Sequence, residues 1–291
     1  MTQNTLKFSI VIPAYNEESG LNIILPDLAE RYPNAEIIVI NDGSTDSTEN
    51  VCAENSVTVL THPYKMGNGA SIKSGARSAS EDVIVFMDAD GQHLPADIER
   101  LLEKMDEGFE MVVGARTIDT HSSYLKRLGN TFFNRLASIM TGHTILDLTS
   151  GFRAVKAKTF RKFLYLLPNG FSYPTTSTMA FFRSGNPVGY IKIQAGKRTR
   201  GTNSNIKVIK DGIRFFLIIL KIGALYSPMR LFLPISISLF FTGVGYYAYT
   251  YITDHRFTNM SALLFISSLM IFLIGILSEQ VSSLHYRDSE R

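Results

Sequence analysis

Two stretches toward the end of the 291-residue chain, LFLPISISLFFTGVGYYAYTYI (231–252) and SALLFISSLMIFLIGILS (261–278), contain no charged residue. Each approaches the roughly 20 apolar residues a helix needs to cross a bilayer. Only TDHRFTNM separates them, so a transmembrane hairpin is expected rather than two buried core helices. Lys207, Lys210, Arg214, Lys221 and Arg230 precede the pair and Arg287 and Arg291 follow it, whereas the connection carries Arg256. The positive-inside rule then puts both termini, and the whole region ahead of the hairpin, in the cytoplasm. Leading into it, NIKVIKDGIRFFLIILKIGALYSPMR mixes cations with a broad apolar face, as an interfacial helix does. The expected divisions are a domain over 1–205, a juxtamembrane amphipathic segment over 206–230, two transmembrane helices over 231–280 and a cytoplasmic tail over 281–291.

The first part of the chain alternates apolar strands with helical spacing. FSIVI (8–12) reads as a buried strand stopped by Pro13, and AYNEESGLNIILPDLAERY as a helix; AEIIVIND, SVTVLTH and VIVFM are further strands with helices between them. Such alternation predicts an α/β domain with a parallel sheet, whose ligands bind beyond the carboxyl ends of the strands. Tyr15, Asn16 and Glu17, Asn41 and Asp42, and Asp88 and Asp90 all fall at those ends and are expected to converge on one crevice. The N-terminus lacks the pattern of a secretory signal, and the single Cys52 excludes an intrachain disulfide and a cysteine-based zinc site. A net charge of +3 suits a membrane surface or phosphorylated substrates without demanding nucleic acid, which is not expected as a partner.

FMDADGQHLP (86–95) places two carboxylates at the mouth of an apolar strand, where they repel each other and are partly desolvated. Asp88 and Asp90 with the amide oxygen of Gln92 form an all-oxygen set suited to Mg²⁺ or Mn²⁺, an ion that would hold a diphosphate; the alternative is an acidic turn capping the next helix. His93 is the only histidine expected beside this site, as a solvent-facing loop residue. Lys65-Met66-Gly67-Asn68-Gly69 precedes a helix, so its N–H groups either face a diphosphate or belong to a tight turn.

In order along the chain, IPAYNEE (12–18), NDGSTDST (41–48), MDADGQH (87–93) and LTSGFRA (148–154) resemble family 2 glycosyltransferases of the polyprenyl-phosphate group, similar to dolichol-phosphate mannose synthase. The resemblance covers about the first 210 residues. It implies a GT-A (Rossmann-like) fold, a nucleotide-sugar donor (UDP- or GDP-sugar), a divalent metal, Mg²⁺ or Mn²⁺, and inverting transfer to a polyprenyl (undecaprenyl or dolichyl) phosphate. It also implies that Pro13, Tyr15 and Glu17 line the nucleotide, that Asp42 contacts base or ribose, and that Asp88, Asp90 and Gln92 hold metal and diphosphate. Arg116, Arg127 and the basic loop KRTRGTNSNIK, with Arg198 and Arg200, resemble the acceptor-phosphate contacts, although Asn205 replaces a lysine of that loop's pattern. Ser150 and Arg153 are expected either to orient that phosphate or to form a packing corner. Asp147 faces the reaction centre in the resemblance, as a base or as the group that positions an arginine.

Transfer to an ordinary hydroxyl needs a general base, usually a carboxylate. From Leu148 to Lys210 the sequence has no Asp or Glu but twelve Lys and Arg. An acceptor half so charged expects an anion, and a phosphate is already ionised and attacks without a base. A processive polysaccharide synthase is the nearest rival, but the Gln-x-x-Arg-Trp motif of those enzymes is missing, since the chain has no tryptophan. A non-catalytic membrane nucleotide-sugar binding protein is the other alternative, against which the intact Asp88-x-Asp90-x-Gln92 set stands. Gly243, Gly245 and Gly275 would let the hairpin pack against copies of itself as a homo-oligomer.

Overall fold

The computed structural model describes residues 7–116, 124–170, 172–194, 213, 216–221, 223–224 and 227–289, without the side chains of 124–128 and 283–289. Seven strands form one sheet: β1 (Phe8–Ala14), β2 (Glu36–Asn41), β3 (Thr58–Thr61), β4 (Val83–Phe86), β5 (Met111–Arg116), β6 (Arg153–Lys156) and β7 (Val188–Ile193). Their order is β3-β2-β1-β4-β6-β5-β7. The central strand β4 is apolar throughout, and its Val83, Ile84, Val85 and Phe86 have no exposed surface. Such an unbroken run fits a sheet covered on both faces, and two apolar clusters accordingly lie one on each side of it.

Helices α1 (Glu18–Arg31), α2 (Thr48–Glu54), α3 (Asn68–Ser78) and α4 (Asp97–Asp106) alternate with the first five strands, the first four strands and the three helices between them as the sequence predicts. Two expectations need correction. The sheet is mixed, because β6 runs antiparallel to both β4 and β5, with Phe86 and Val113 each opposite Arg153. Nor does Pro13 stop β1, which continues to Ala14 with Pro13 opposite Ile40 of β2. Pairing of β1 with β4 already ends at Val11 and Phe86, so the N–H that proline lacks is not needed there.

The reversal of β6 matters for the site. Parallel strands leave the crevice end of the sheet at their carboxyl ends, whereas an antiparallel strand enters from it. The segment Asp147–Phe152 ahead of β6 therefore lies at the same end as the segments that follow β1, β2 and β4. Helix α5 (Tyr124–Thr141), a short α6 (Ala157–Arg161) and α7 (Tyr173–Arg183) complete the domain.

Residues 216–221 are helical and bury Ile219 beside Met140. Helices α8 (Pro228–Asp254) and α9 (Asn259–Ser289) then form an antiparallel hairpin, both long and apolar enough to cross a membrane. Outward-facing Phe241, Tyr249, Ile252, Leu263 and Leu277 leave it covered by apolar side chains, unlike a buried core helix. Within the pair, Ser236 Oγ donates to Ser268 O and Ser268 Oγ to Ser236 O, both at 2.9 Å. Arg230 reaches back to the last turn of α5, donating to Ile139 O at 3.3 Å and Met140 O at 3.4 Å. The segment from 281, expected as a tail, continues α9 to Ser289, and the boundary expected at 205 lies outside the described residues.

Gly20, in the first turn of α1, shows how closely that helix rests on the turn after β4. A Cβ at Gly20 would stand 1.9 Å from the carbonyl oxygen of Ala89, the residue between Asp88 and Asp90. Gly20→Ala is therefore expected to lower unfolding stability by about 1–3 kcal/mol, as overpacking does, when thermal unfolding is compared in the same detergent. Unchanged stability would mean that the two segments do not touch.

Candidate active site

The crevice is assembled from loops that bond to one another. After β1, Asn16 adopts φ 56°, donates its N–H to Ser44 Oγ at 3.0 Å and accepts from Thr45 N at 2.8 Å. The N–H groups of Glu17 and Glu18 donate to Thr48 Oγ1 and to an Asp46 carboxylate oxygen, both at 3.2 Å. The NDGSTDST run thus knits the β1 and β2 exits together. Pro13, Tyr15, Glu17 and Asp42 all stand at that joint, and Lys65 Nζ lies 3.4 Å from the centre of the Tyr15 ring.

Asp42 is buried and heavily engaged: Oδ1 is 2.8 Å from both His62 Nδ1 and Met66 N, and Oδ2 accepts from Gly67 N at 2.8 Å. His62 Nε2 in turn meets Ser74 Oγ at 2.9 Å. Sequence reasoning missed His62. Its signal was positional, because it follows β3 just as Asp42 follows β2, and neighbouring parallel strands end side by side. Within the segment 65–69, Met66 N and Gly67 N are taken by Asp42, and Gly69 N donates to Gly170 O at 3.0 Å. Residues 65–67, which lead directly into α3 at Asn68, are thus clamped by Asp42.

After β4, Asp88, Asp90 and Gln92 are all half-buried, and Gln92 N closes the turn on Asp90 Oδ1 at 3.1 Å. Gly151 presses on this turn from the β6 side, where a Cβ would stand 2.8 Å from Asp88 Oδ2. His93, expected to face solvent, is buried and stacked on Phe152 with ring centres 5.0 Å apart. That stack fixes the exit of the turn.

The oxygen-only set of Asp88, Asp90 and Gln92 matches a hard divalent cation in chemistry. Among the described residues, no group of three or more His, Cys, Asp or Glu side chains gathers as a metal cluster. Two carboxylates leave most of an octahedral shell to water and phosphate oxygens, which fits an ion held jointly with a diphosphate.

Opposite the turn, Arg116 ends β5 and grips Asp147 through two contacts, Nε to Oδ2 at 2.8 Å and Nη2 to Oδ1 at 3.1 Å. Nη2 also donates to Thr149 Oγ1 at 2.6 Å, and the N–H groups of Thr149 and Ser150 donate to Asp147 Oδ1 at 3.0 and 3.1 Å. Burial works against the Asp147 charge, but the Arg116 contacts and the Thr149 N–H outweigh it and hold its carboxyl below the usual range. Burial also opposes the Arg116 charge, which Asp147 and, more distantly, Asp88 and Asp90 restore, raising its pKa. About a third of the Arg116 side chain stays exposed at 35%. Ser150 is buried in the same loop.

Arg153 does not fit the expected phosphate contact. Its guanidinium has no exposed surface and donates from Nη1 to Pro174 O at 3.1 Å, Ser177 Oγ at 2.8 Å and Thr178 Oγ1 at 3.0 Å, and from Nη2 to Ser150 O. Burial lowers its pKa, opposed by Tyr173, Tyr190, Asp147 and Asp88. Arg153 is therefore a cation set beneath the carboxylates, one that ties the Ser150 loop to α7. Arg161 is likewise taken into the fold, bonding Ala76 O at 2.8 Å. Arg198 and Arg200 lie outside the described residues, as does the side chain of Arg127, whose backbone is in the first turn of α5.

A carboxyl held below its unfolded value stabilises the fold above about pH 4 and loses that contribution as pH falls through its folded value. Asp147→Asn should therefore cost about 1–2 kcal/mol at pH 7, reduced by the partial exposure of Arg116, and progressively less below pH 4. Denaturant unfolding of both proteins across that range measures it; a difference independent of pH would contradict an ionised Asp147.

The model for glycosyl transferase family 2 matches residues 9–164, more than half of the chain, and that for the GtrB C-terminal hairpin matches residues 227–284. The chain is 26% identical to glycosyltransferase AglJ of Haloferax volcanii, over 97% of this chain and 96% of that one. It is 29% identical to polyprenol monophosphomannose synthase of Mycolicibacterium smegmatis over 73% of this chain and 88% of that one. With undecaprenyl-phosphate mannosyltransferase of Micrococcus luteus it shares 34% identity over 52% and 67%. The glucosyl-3-phosphoglycerate synthase of Mycobacterium tuberculosis, solved with Mn²⁺, UDP and glucosyl-3-phosphoglycerate, superposes with a TM-score of 0.61 at 18% identity, over 75% of this chain and 80% of that one, a likeness of fold. A mixed sheet of the GT-A kind, a crevice with an Asp88-x-Asp90 turn and a terminal apolar hairpin agree with both family matches, and the chain belongs to glycosyl transferase family 2 as a glycosyltransferase with a GtrB-type hairpin.

Proposed function

We propose that this glycosyltransferase moves a sugar, with inversion, from a nucleotide sugar to a polyprenyl phosphate at the cytoplasmic face of a membrane. One observation carries the choice of acceptor: Asp147, the last carboxylate before the anion-free span, is already committed to Arg116, Thr149 and Ser150. A carboxylate so held is a poor proton acceptor, whereas an ionised phosphate needs none. The names of the Mycolicibacterium and Micrococcus relatives support the same acceptor class.

In this reading Pro13, Tyr15, Glu17 and Asp42 surround the nucleotide. Asp88, Asp90 and Gln92 would hold a divalent ion, which when bound neutralises charge on the diphosphate. Arg116 turns its exposed edge to the acceptor phosphate, with Arg127, Arg198 and Arg200 as further contacts. Asp147 orients Arg116, and Ser150 shapes the loop beneath it. The phosphate oxygen attacks the anomeric carbon in line as the carbon–oxygen bond to the diphosphate breaks, and the electron pair leaves with the diphosphate. No proton changes hands. Lys207, Lys210, Arg214 and Lys221 favour a cytoplasmic catalytic domain.

The test is incubation of membranes holding the protein with undecaprenyl phosphate and a panel of UDP-glucose, UDP-galactose, UDP-N-acetylglucosamine and GDP-mannose, with Mn²⁺, Mg²⁺ or chelator. The expected product is a glycosyl phospholipid identified by its mass, formed only with metal. Product formation undiminished by chelator would remove the metal assignment. Arg116→Ala should lower acceptor use about ten- to hundredfold, the loss of a charge-assisted contact of roughly 1.5–3 kcal/mol, with nucleotide binding nearly unchanged. Weakened nucleotide binding with normal acceptor kinetics would move Arg116 to the donor side.

A further inference from the structure

Arg116 ends β5, but its partner Asp147 sits on a loop with no regular structure of its own, so something must hold that loop in place. Asn134, in the middle of α5, does so with a single amide. Its Nδ2 donates to Leu146 O at 2.8 Å, and its Oδ1 accepts from Leu148 N at 3.1 Å. A side-chain amide presents donor and acceptor in one plane, as a peptide does. Asn134 therefore pairs with the two peptides flanking Asp147 much as a neighbouring strand would, and Asp147 is left to point at Arg116. One turn further along α5, on the same face, Ser138 Oγ accepts from Ile145 N at 3.0 Å. The far end of α5 is met by Arg230 from the start of the hairpin.

We infer that Asn134 is a positioning residue for glycosyl transfer, which fixes Asp147 and through it the orientation of the Arg116 guanidinium toward the acceptor phosphate. The inference rests on the reading of Arg116 given above. Asn134 itself touches neither substrate. It acts by limiting how far the Asp147 loop, and with it the Arg116 fork, departs from the geometry needed to meet a phosphate, and small misplacements of such groups cost large factors in rate.

A double-mutant cycle separates this role from a merely structural one. Acceptor kcat/KM would be measured with undecaprenyl phosphate in detergent and the donor identified by the panel, and UDP and GDP binding by calorimetry. Asn134→Ala is expected to lower acceptor kcat/KM about tenfold while leaving nucleotide affinity unchanged. In an Arg116→Ala background the same substitution should have no further effect, because the group it positions is gone. Ser138→Ala, which releases Ile145 N from the helix, gives up a bond to Asn134 O within it and keeps the Asn134 amide, should give a smaller loss that likewise vanishes in that background, and serves if Asn134→Ala folds poorly. An equal loss in both backgrounds, or normal acceptor use in both single α5 variants, would overturn the inference while Arg116→Ala remained impaired. Were Arg116→Ala itself fully active, the acceptor reading would fall first and this inference with it.

Discussion

Asp88 and Asp90 stand two residues apart at the end of a strand with no exposed surface, and their mutual repulsion dictates what surrounds them. Positive charge must approach from more than one side. Arg153 supplies it from below, fully buried and held by hydroxyl and carbonyl oxygens rather than by a carboxylate of its own. Arg116 supplies it from the side, shared between Asp147 and the more distant Asp88 and Asp90. A divalent ion would supply the remainder and leave part of its own shell for phosphate oxygens, which suits the turn to a diphosphate substrate. The shape of the turn follows from two close approaches, α1 at Gly20 and the β6 entry at Gly151.

The single antiparallel strand joins the two halves of this arrangement. Because β6 enters the sheet at the end where β1, β2 and β4 exit, the residues ahead of it face the residues behind the others. In the proposed reading, donor-side groups come from the first 92 residues, and Arg116, Arg127 and Asp147 of the acceptor side from β5, α5 and the loop before β6. Helix α5 spans from that loop to the base of the apolar hairpin, where Arg230 bonds Ile139 O and Met140 O in its last turn. A lipid acceptor held in the membrane would thus meet an acceptor half physically tied to the membrane segment.

Much of this was legible in the sequence. Unbroken apolar runs ending in acids predicted strands, and their positions predicted the crevice; the two charge-free segments predicted the hairpin. The antiparallel sense of β6 was not legible, since RAVK is four residues long and pattern alone carries no direction. For Arg153 the sequence left a phosphate contact and a packing corner open, and only the oxygens of α7, which no local pattern announces, explain its burial. His93 read as solvent-facing because nothing local announces a stack on Phe152, 59 residues away. His62 and Asn134 bond across elements, and single-chain periodicity does not register such partners.

The central proposal is that the site takes an anionic acceptor, because Asp147 is committed to Arg116, Thr149 and Ser150 rather than free to act as a base on a neutral hydroxyl. Comparison of undecaprenyl phosphate with undecaprenol, at matched concentration in the same detergent and with the same donor, addresses it directly. The account predicts glycosylation of the phosphate alone, with a rate that does not fall from pH 8 to pH 7, where the phosphate remains largely ionised with its second pKa near 6. Glycosylation of undecaprenol at a comparable rate would show that Asp147 or another group acts as a base, and would contradict it.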